Sequence, residues 1–449
     1  MTEQIMELLE AQRYRKIKEL LSEKEPADIA YLFDDLPEKS MPLLYRLLPK
    51  ELAAEVFVEL DTDTQEMLLK GFSDSELKEV LDELYLDDAV DIIEEMPANV
   101  VKRIIRHTEP DMRQHINEIL NYPKDSAGSV MTIEFVHLRG DMTVQDAFTR
   151  IRRTGLDKET IYTCYVTDPR RILIGTVSVK DLLLADEDCI ISDIMETNTI
   201  CAHTHDDKEA VALDLSKYDL LAIPVVDNEE GLVGIVTVDD AIDVLQEEAT
   251  EDIEKMAGIT PSEKPYLKTG IIDTCKQRIP WLLLLMFSAT FTGMIISNYE
   301  EALGKSVILT AFIPMIMGTG GNSGSQSSVT VIRGLALDEI EFKDVFRIIW
   351  KELRVALLCG VVLALATYLK VLFVDQHELN QQAYTVSLVV ALTMFLTILL
   401  AKLVGCVLPL VAKKIGFDPA VMASPFITTI VDALSLVVYF DIATRLLGI

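Results

Sequence analysis

The chain has 449 residues, of which 50% are hydrophobic, and a formal net charge of −31 at pH 7, so it is long enough for three domains. Its acidity argues against nucleic acid or anionic lipid surfaces as partners, because both need a positive protein surface. The six cysteines include no Cys-x-x-Cys pair, so neither a zinc site nor a disulfide framework is predicted. Basic and acidic residues are equal in number from Ile271 onward, so the whole net charge lies before this residue.

The first predicted element is an array of short helices. Six apolar residues recur every twelve positions, and the blocks between them carry apolar residues at helical spacing. This pattern predicts an acidic, all-α superhelical N-domain over residues 1–125. The opening residues are acidic and helical in pattern, unlike a signal peptide, so the part of the chain before Ile271 is expected in the cytosol. The repeating residues are Leu36, Leu48, Leu60, Phe72, Leu84 and Met96.

The second predicted element, residues 126–245, is a duplicated α/β unit. The stretches SAGSVMT and IISDIMET open two similar halves, in which Met131 and Met195 correspond, and LIGTVSVKDLL and LVGIVTVDDAI close them. This tandem resembles a pair of CBS domains, and each copy retains the family's Ser/Thr-x-x-Asp pattern, at Ser178 and Asp181 and at Thr237 and Asp240. The resemblance implies that these residues hold the ribose of an adenine nucleotide such as ATP. A helix N-cap is the alternative interpretation.

The third predicted element is an acidic connecting helix that leads through residues 246–270. Asp243, Glu247 and Glu251 are spaced by four and share one face. Each like-charge pair at this spacing destabilises a helix by about 0.2–0.5 kcal/mol. Either the face is solvated, or a cation bridges it to the acidic N-domain.

The last predicted element, residues 271–449, is a transmembrane domain with five helices, judged by the length that spans a bilayer. Lys370 interrupts the third segment and Asp432 the fifth. Basic residues, Lys402 among them, flank the second and fourth connections and place both in the cytosol. The five segments are 279–298, 307–332, 355–374, 383–404 and 420–440.

The second segment belongs to an uncharged stretch that lies between Lys305 and Arg333. It contains glycines at positions 318, 320, 321 and 324. These glycines could unwind the helix or allow close backbone approach, and so present Asn322 to an ion path. Packing between membrane helices is the alternative, since small and polar residues also join such helices.

The fifth segment carries an intramembrane carboxylate, Asp432, which is a functional-site hypothesis by default. Thr428 lies one helical turn before it and Ser424 one turn earlier. Pro425 is predicted to free carbonyl groups of a preceding turn. Magnesium prefers six oxygen ligands and gives up its waters reluctantly, so carboxylate and carbonyl oxygens suit it. One carboxylate per chain is few for a divalent ion, and a twofold dimer would supply a second.

Together these elements resemble the MgtE family of bacterial magnesium channels, on the stretches GTGGNSGSQ and SPFITTIVD and the domain order. The resemblance implies a homodimer in the cell membrane, surrounded by lipid, whose pore closes when cytosolic Mg²⁺ binds the soluble domains. The pore residues implied are Asp432, Thr428, Asn322, Gly321 and Ser424. The regulatory residues implied are Glu55, Asp87, Asp91, Glu209, Asp219, Asp240, Asp243, Glu248, Glu251, Asp252 and Asp418.

The sequence therefore predicts a magnesium-selective channel that is closed by its own permeant ion, with Mg²⁺ as ligand and ATP as a possible regulator. A secondary transporter that couples divalent cations to another ion is the alternative, because glycine-interrupted spans occur there too. An intramembrane hydrolase would need a second carboxyl group to work with Asp432 as acid and base. Asp418 and Asp441 lie at the ends of the segment, so the chain is not expected to be an enzyme.

Overall fold

The computed structural model describes residues 2–262, 266–337, 339–375, 381–422 and 424–448. The chain divides into two compact units, Met1–Leu245 and Gln246–Ile449. The first unit contains a helical part followed by two small sheets, and the second contains long apolar helices. This architecture confirms the predicted fold class, a multidomain membrane protein.

Short helices form the beginning of the first unit. All six residues of the twelve-residue repeat are buried, so the predicted repeat is the repeat of the core. Local capping explains several of the helix starts: Asp61 accepts hydrogen bonds from the backbone of Asp63 and Thr64, and Ser73 forms a capping box with Glu76. The helices are α1 (Thr2–Glu10), α2 (Tyr14–Leu21), α3 (Pro26–Asp34), α4 (Met41–Tyr45), α5 (Lys50–Val58), α6 (Thr62–Gly71), α7 (Asp74–Leu81), α8 (Leu86–Glu95), α9 (Ala98–His107) and α10 (Pro110–Ile119).

The duplicated α/β unit forms two three-stranded sheets with the orders β1-β2-β3 and β4-β5-β6. In each sheet the first two strands are parallel and the last two antiparallel. The strands are β1 (Phe135–Arg139), β2 (Thr160–Thr167), β3 (Leu173–Ser178), β4 (Ala202–His203), β5 (Ala222–Val226) and β6 (Leu232–Thr237). The helices are α11 (Val144–Thr154), α12 (Val179–Leu184), α13 (Ile191–Ile194), α14 (Lys208–Lys217) and α15 (Val238–Met256).

The segment that precedes each repeat pairs with the last strand of the other repeat's sheet. Thr132 exchanges backbone hydrogen bonds of 2.8 and 2.9 Å with Ile235 in β6. Added to Gly234, a Cβ atom would lie 2.7 Å from the sulfur of Met131, and at Gly175 it would lie 2.9 Å from that of Met195. Only glycine fits at these two positions, and the two methionines occupy equivalent places, as the sequence predicts.

The second unit is built from long helices. The helix α20 packs against α18, α19 and α21, and α16 contacts α21. A 3₁₀ turn (Val307–Phe312) precedes α18, and the hydroxyl of Tyr439 donates a hydrogen bond of 2.9 Å to the Leu309 carbonyl in it. The helices are α16 (Ile271–Asn298), α17 (Glu300–Lys305), α18 (Ile313–Ala336), α19 (Val345–Lys370), α20 (Gln381–Lys414) and α21 (Ser424–Leu447).

Within the described ranges, four segments are helical, long and apolar enough to cross a membrane: 271–298, 342–375, 381–414 and 419–447. The glycine-rich α18 is a 24-residue helix but is more polar than these four. The count of five spans therefore stays a prediction.

Of the two possibilities for the glycines of α18, unwinding or close backbone approach, the structure shows close approach. The helix is continuous from Ile313 to Ala336, and its small residues instead allow close packing. A Cβ atom on Gly405 of α20 would collide with the Gly324 carbonyl oxygen and lie 3.2 Å from the Gly324 Cα atom. The backbones of α18 and α20 are therefore in direct contact, which is typical of small-residue packing in membranes.

Replacing Gly405 by Ala should destabilise the second unit by about 1–3 kcal/mol, because the added methyl group has no space between the two backbones. The thermal unfolding midpoint of the detergent-solubilised chain measures this effect. Gly318→Ala is the matched control, since a Cβ atom there has no neighbour within 4 Å. Equal midpoints for both variants would contradict the close contact.

Candidate cation sites

The first candidate site is the carboxylate of Asp432, which lies half-buried on α21. Within the part of the chain that the structure describes, it forms neither a hydrogen bond nor an ion pair. Lys370, the cation that interrupts the third predicted span, instead pairs with Asp375 at 2.9 Å. Burying an unpaired carboxylate is costly, so such a group in a membrane helix is expected to meet a ligand or partner.

Two of the predicted pore residues, Thr428 and Gly321, lie against each other on neighbouring helices. Thr428, one turn earlier on α21, contacts Gly321 of α18, where a Cβ atom would lie 3.0 Å from the Thr428 Cγ2 atom. Asn322 follows Gly321 and is exposed. The structure thus brings Gly321 and Thr428 together and leaves Asn322 beside them. The side chain of Ser424 lies outside the described residues.

The predicted role of Pro425 needs correction. It is the second residue of α21, where the backbone N–H groups of a helix have no intrahelical partner, so it removes no hydrogen bond from this helix. Its own carbonyl accepts hydrogen bonds from the hydroxyls of Thr428 at 2.9 Å and Thr429 at 3.0 Å. Any backbone oxygen offered to an ion must therefore come from elsewhere on α21.

A buried charged network was missed by the sequence analysis. Lys402 is only 6% exposed and lies inside α20, where it is paired with other side chains, which its assignment as a flanking charge did not predict. Its ammonium group lies 3.2 Å from the Ser327 hydroxyl and 3.8 Å from the Glu352 carboxylate. The Ser327 hydroxyl donates a 2.6 Å hydrogen bond to Glu352. The network joins α18, α19 and α20.

Breaking this network from one side should cost more than removing both charges. Lys402→Met leaves Glu352 buried without its cation, which is expected to cost about 3–5 kcal/mol. The double variant Lys402→Met with Glu352→Gln should recover a large part of that loss. Thermal unfolding of Lys402→Met, of Glu352→Gln and of the double variant measures the coupling between the two charges. Losses of stability that simply add up would contradict this coupling.

The second candidate site is a group of carboxylates between α8 and the α/β repeats, all in the first unit. Asp87 is buried and accepts a hydrogen bond from the backbone N–H of Asp88. The Asp240 carboxylate accepts a 2.6 Å hydrogen bond from the Thr237 hydroxyl. No described Lys or Arg forms an ion pair with this acidic cluster. Its members are Asp87, Asp88, Glu134, Glu159, Asp239 and Asp240.

Burial and mutual repulsion raise the pKa values of four members of this acidic cluster, Asp87, Asp88, Glu159 and Asp240. Burial, with repulsion from Asp240, Asp239 and other acids, raises the pKa of Asp88 to about 7. The same causes raise the pKa of Glu159 to about 8, and burial raises that of Asp240 to about 6. Burial and the charge of Glu159 raise the pKa of Asp87 well above its ordinary value. Such groups release their protons when a cation approaches.

The other predicted regulatory residues of the first unit are more dispersed. Glu55 is exposed on α5 and Asp91 on α8. It is the charge of Glu59, also near the end of α5, that contributes to the raised pKa of Asp88. Glu209 lies in the first turn of α14, and Asp219 follows the end of this helix with a positive φ of 53°. Asp243 is exposed on α15.

In the second unit, a lysine occupies the position between two predicted metal ligands. The Lys255 ammonium forms ion pairs with Glu251 on its own helix and with Asp418, the latter at 2.6 Å. Burial lowers the pKa of Lys255, but its hydrogen bonds to both carboxylates outweigh this and raise it. Burial and the charge of Asp418 raise the pKa of Asp252. Glu248 lies one turn before Asp252 on α15.

Among the described residues, no three His, Cys, Asp or Glu side chains converge closely enough to hold a metal ion directly. Mg²⁺ usually keeps several of its waters and can be held through them rather than by direct ligands alone. The residues found here but not predicted are Asp88, Glu134, Glu159, Asp239, Lys255, Glu352 and Lys402.

The predicted nucleotide residues form a helix cap. Ser178 and Asp181 make a reciprocal capping box at the start of α12, in which the Ser178 hydroxyl and N–H both donate to the Asp181 carboxylate. The structure therefore agrees with the alternative interpretation of the Ser-x-x-Asp pattern, which is a helix N-cap. A ribose at this position would have to share the Asp181 carboxylate with the cap.

An acidic unit with a tandem α/β pair, joined to apolar helices that carry a half-buried carboxylate, defines a membrane protein of the cation-transporting class. The family model described as "Divalent cation transporter" matches residues 313–442, the MgtE intracellular N domain matches 24–125, and the CBS domain matches 127–188 and 191–247. The chain belongs to the MgtE family, which confirms the predicted family.

Curated relatives match over nearly the whole chain. The magnesium transporter MgtE of Thermus thermophilus is 36% identical over 447 residues, which cover 99% of this chain and 98% of the relative. The magnesium transporter MgtE of Bacillus subtilis is 34% identical and covers 98% of this chain and 96% of its own length. These relatives are transporters, which confirms that the chain is not an enzyme.

Two solved structures resemble the soluble part. The cytosolic domain of the Mg²⁺ channel MgtE in complex with ATP is 37% identical and has a TM-score of 0.52. The match covers 54% of this chain and 100% of the chain in that structure. The soluble part of a magnesium transporter is 32% identical, covers 55% of this chain and 98% of its own, and has the same TM-score.

Proposed function

We propose that this protein is a magnesium channel that mediates Mg²⁺ uptake across the cell membrane. The observation that carries the proposal is the Asp432 carboxylate, half-buried on α21 with no ion-pair or hydrogen-bond partner among the described residues. Thr428 and Asn322 carry neutral oxygen atoms, which Mg²⁺ prefers as ligands to thiol or imidazole groups. The relatives' printed names, magnesium transporter MgtE, support the choice of ion.

We infer that the channel works as a homodimer. One carboxylate is few for a divalent ion, and a twofold axis beside α21 would bring a second Asp432 to the same path. The helix α16 has no buried residue and exposes Leu282, Phe287 and Phe291. This apolar face suits membrane lipid or a second copy of the chain.

We further propose that cytosolic Mg²⁺ closes the channel through the soluble part. Burial and the repulsion between their charges raise the pKa values of Asp87, Asp88 and Glu159 in the acidic cluster, and a hydrated divalent cation would relieve this repulsion. A ligand at about 100 times its dissociation constant stabilises the bound form by about 2.7 kcal/mol per site, so several sites would give a steep response. This requires the N-terminal domains to lie in the cytoplasm.

ATP is proposed as a possible regulatory ligand at Ser178 and Asp181. The support is the resemblance to a cytosolic MgtE domain crystallised with ATP. The capping box around Asp181 argues that the affinity is modest, because the carboxylate already accepts hydrogen bonds.

Flux into proteoliposomes tests the proposal against a coupled transporter. A channel should carry Mg²⁺ down its own gradient at a rate that does not depend on a sodium or proton gradient. The purified chain is reconstituted, a magnesium-sensitive dye is enclosed, and uptake is recorded with each gradient present or collapsed. Uptake that stops when either gradient collapses would establish the alternative, a secondary transporter.

A further inference from the structure

A cavity whose polar side chains are mainly basic lies in the first unit, bordered by α10, β1, α11 and the start of β6. Its volume is about 350 Å³, within the range of small-molecule sites. In a chain with a net charge of −31, most surfaces are acidic, yet five of the residues that line this cavity are basic and one is acidic. The five are His115, His137, Arg150, Lys158 and Arg171, and the acidic residue is Glu118.

Three residues of this basic cavity carry a permanent positive charge: Arg150, Lys158 and Arg171. None of them has a carboxylate partner within the described ranges. Arg150, half-buried, places its guanidinium nitrogen 2.6 Å from the Nε2 atom of His137. A guanidinium group can only donate, so this imidazole nitrogen must accept and the ring is neutral. Burial, followed by the charges of Arg150, Arg171 and Lys158, lowers the pKa of His137, which places all three cations near one ring. An anion is the missing partner.

Arg171 is held at the cavity wall by backbone that crosses between the two repeats. Its φ of 70° lies in the left-handed region, which is unfavourable for a residue with a Cβ atom. Its carbonyl accepts a 3.0 Å hydrogen bond from the N–H of Leu232, and Ile172 pairs with Gly231. Such strain persists only where the surroundings impose it, and it is concentrated at ligand sites.

The rest of the cavity wall is apolar. Phe135, Val136 and Leu232 line it and are themselves buried. An occupant should therefore combine an anionic end with an apolar body. Phosphate matches the anionic end, because arginine binds its oxygens with two parallel hydrogen bonds.

We propose that this basic cavity binds a small phosphorylated molecule with an apolar body. The phosphate is held by Arg150, Lys158 and Arg171, and the body packs on Phe135 and Leu232. Neither Ser178 nor Asp181 lines the cavity, so the site is separate from the helix cap at α12.

Lysine labelling of the unmodified full-length chain tests the site directly. With AMP at millimolar concentration in metal-free buffer, acetylation of Lys158 should slow several-fold, while exposed Lys180, the neighbour of Asp181, should keep its rate. Inorganic pyrophosphate, which has no apolar body, should protect Lys158 less. Mass spectrometry measures each rate. Unchanged labelling of Lys158, protection of Lys180 alone, or equal protection by pyrophosphate would overturn the proposal.

A pair of double variants tests the named cations. Arg150→Gln with Arg171→Gln should weaken AMP binding at least about tenfold, the value of one charged hydrogen bond. Arg152→Gln with Arg153→Gln removes the same charge from exposed positions of α11 outside the cavity and should leave the affinity unchanged. Equal weakening in both would overturn the site in favour of net charge. Should the first variant not fold, the labelling of the unmodified chain decides.

Discussion

Asp432→Asn should reduce Mg²⁺ uptake by about a hundredfold or more. The amide has the shape of the carboxylate but lacks its charge, and the half-buried position on α21 offers no other described anion to replace it. At a separation of about 4 Å and an effective dielectric constant of about 20, each pair of unit charges is worth about 4 kcal/mol. Since about 1.4 kcal/mol corresponds to a factor of ten, losing this interaction outweighs any small change in packing.

Asp441→Asn is the matched control for this prediction. It is the same substitution on the same helix, but Asp441 pairs with Arg445 at 2.9 Å and is half exposed. Both variants are compared by dye-reported flux in proteoliposomes and by growth of a transport-deficient host on limiting magnesium. Uptake by Asp432→Asn equal to that of the control would refute the assignment of Asp432 to the ion path.

The acidic cluster between α8 and the α/β repeats should make the first unit sensitive to pH and Mg²⁺ together. The pKa values of Asp240, Asp88 and Glu159 are raised to about 6, 7 and 8, so the folded state binds more protons than the unfolded chain. Stability therefore falls as pH rises from the ordinary carboxyl range, and the full penalty is reached above about pH 8. Mg²⁺ can replace the lost protons, so it should protect α8 strongly at pH 8 and weakly at pH 5.5.

Hydrogen exchange of the backbone amides of α8 in the full-length chain measures this effect. Asp88→Asn with Glu159→Gln should slow exchange at pH 8 without Mg²⁺ and reduce the further protection by Mg²⁺. Asp28→Asn with Glu83→Gln is the matched control, because both residues are exposed in the helical part. If Mg²⁺ protects α8 equally in both variants, the cation binds elsewhere.

Much of this architecture follows from local patterns. The twelve-residue repeat predicts buried residues of the N-domain because an apolar residue follows the end of each of these short helices and enters one core. The correspondence of Met131 and Met195 is visible because duplicated units keep the same contact, here a methionine against a glycine. Asp432 is conspicuous because a carboxylate in an apolar run has few explanations other than function.

The features that were missed depend on tertiary contacts. Glu159 and Asp88 are far apart in the chain, and each alone reads as an ordinary surface acid. The sequence predicts Lys402 as a flanking charge because it lies close to the end of the apolar segment 383–404 and near the basic Lys413 and Lys414. However, α20 has 34 residues and is about 50 Å long, well beyond the hydrocarbon thickness of about 30 Å, so its apolar run alone does not define its ends.

The contact between Gly324 and Gly405 also constrains how the membrane part can deform. Where two backbones touch, no side chain lies between them that could change rotamer when one helix moves. The helices α18 and α20 are therefore expected to move together as one rigid pair. A passage beside Asp432 can then widen only where side chains separate the helices. The helix α21, which meets the glycines of α18 through side chains such as Thr428 and Ile427, is therefore the one beside which such a passage can widen.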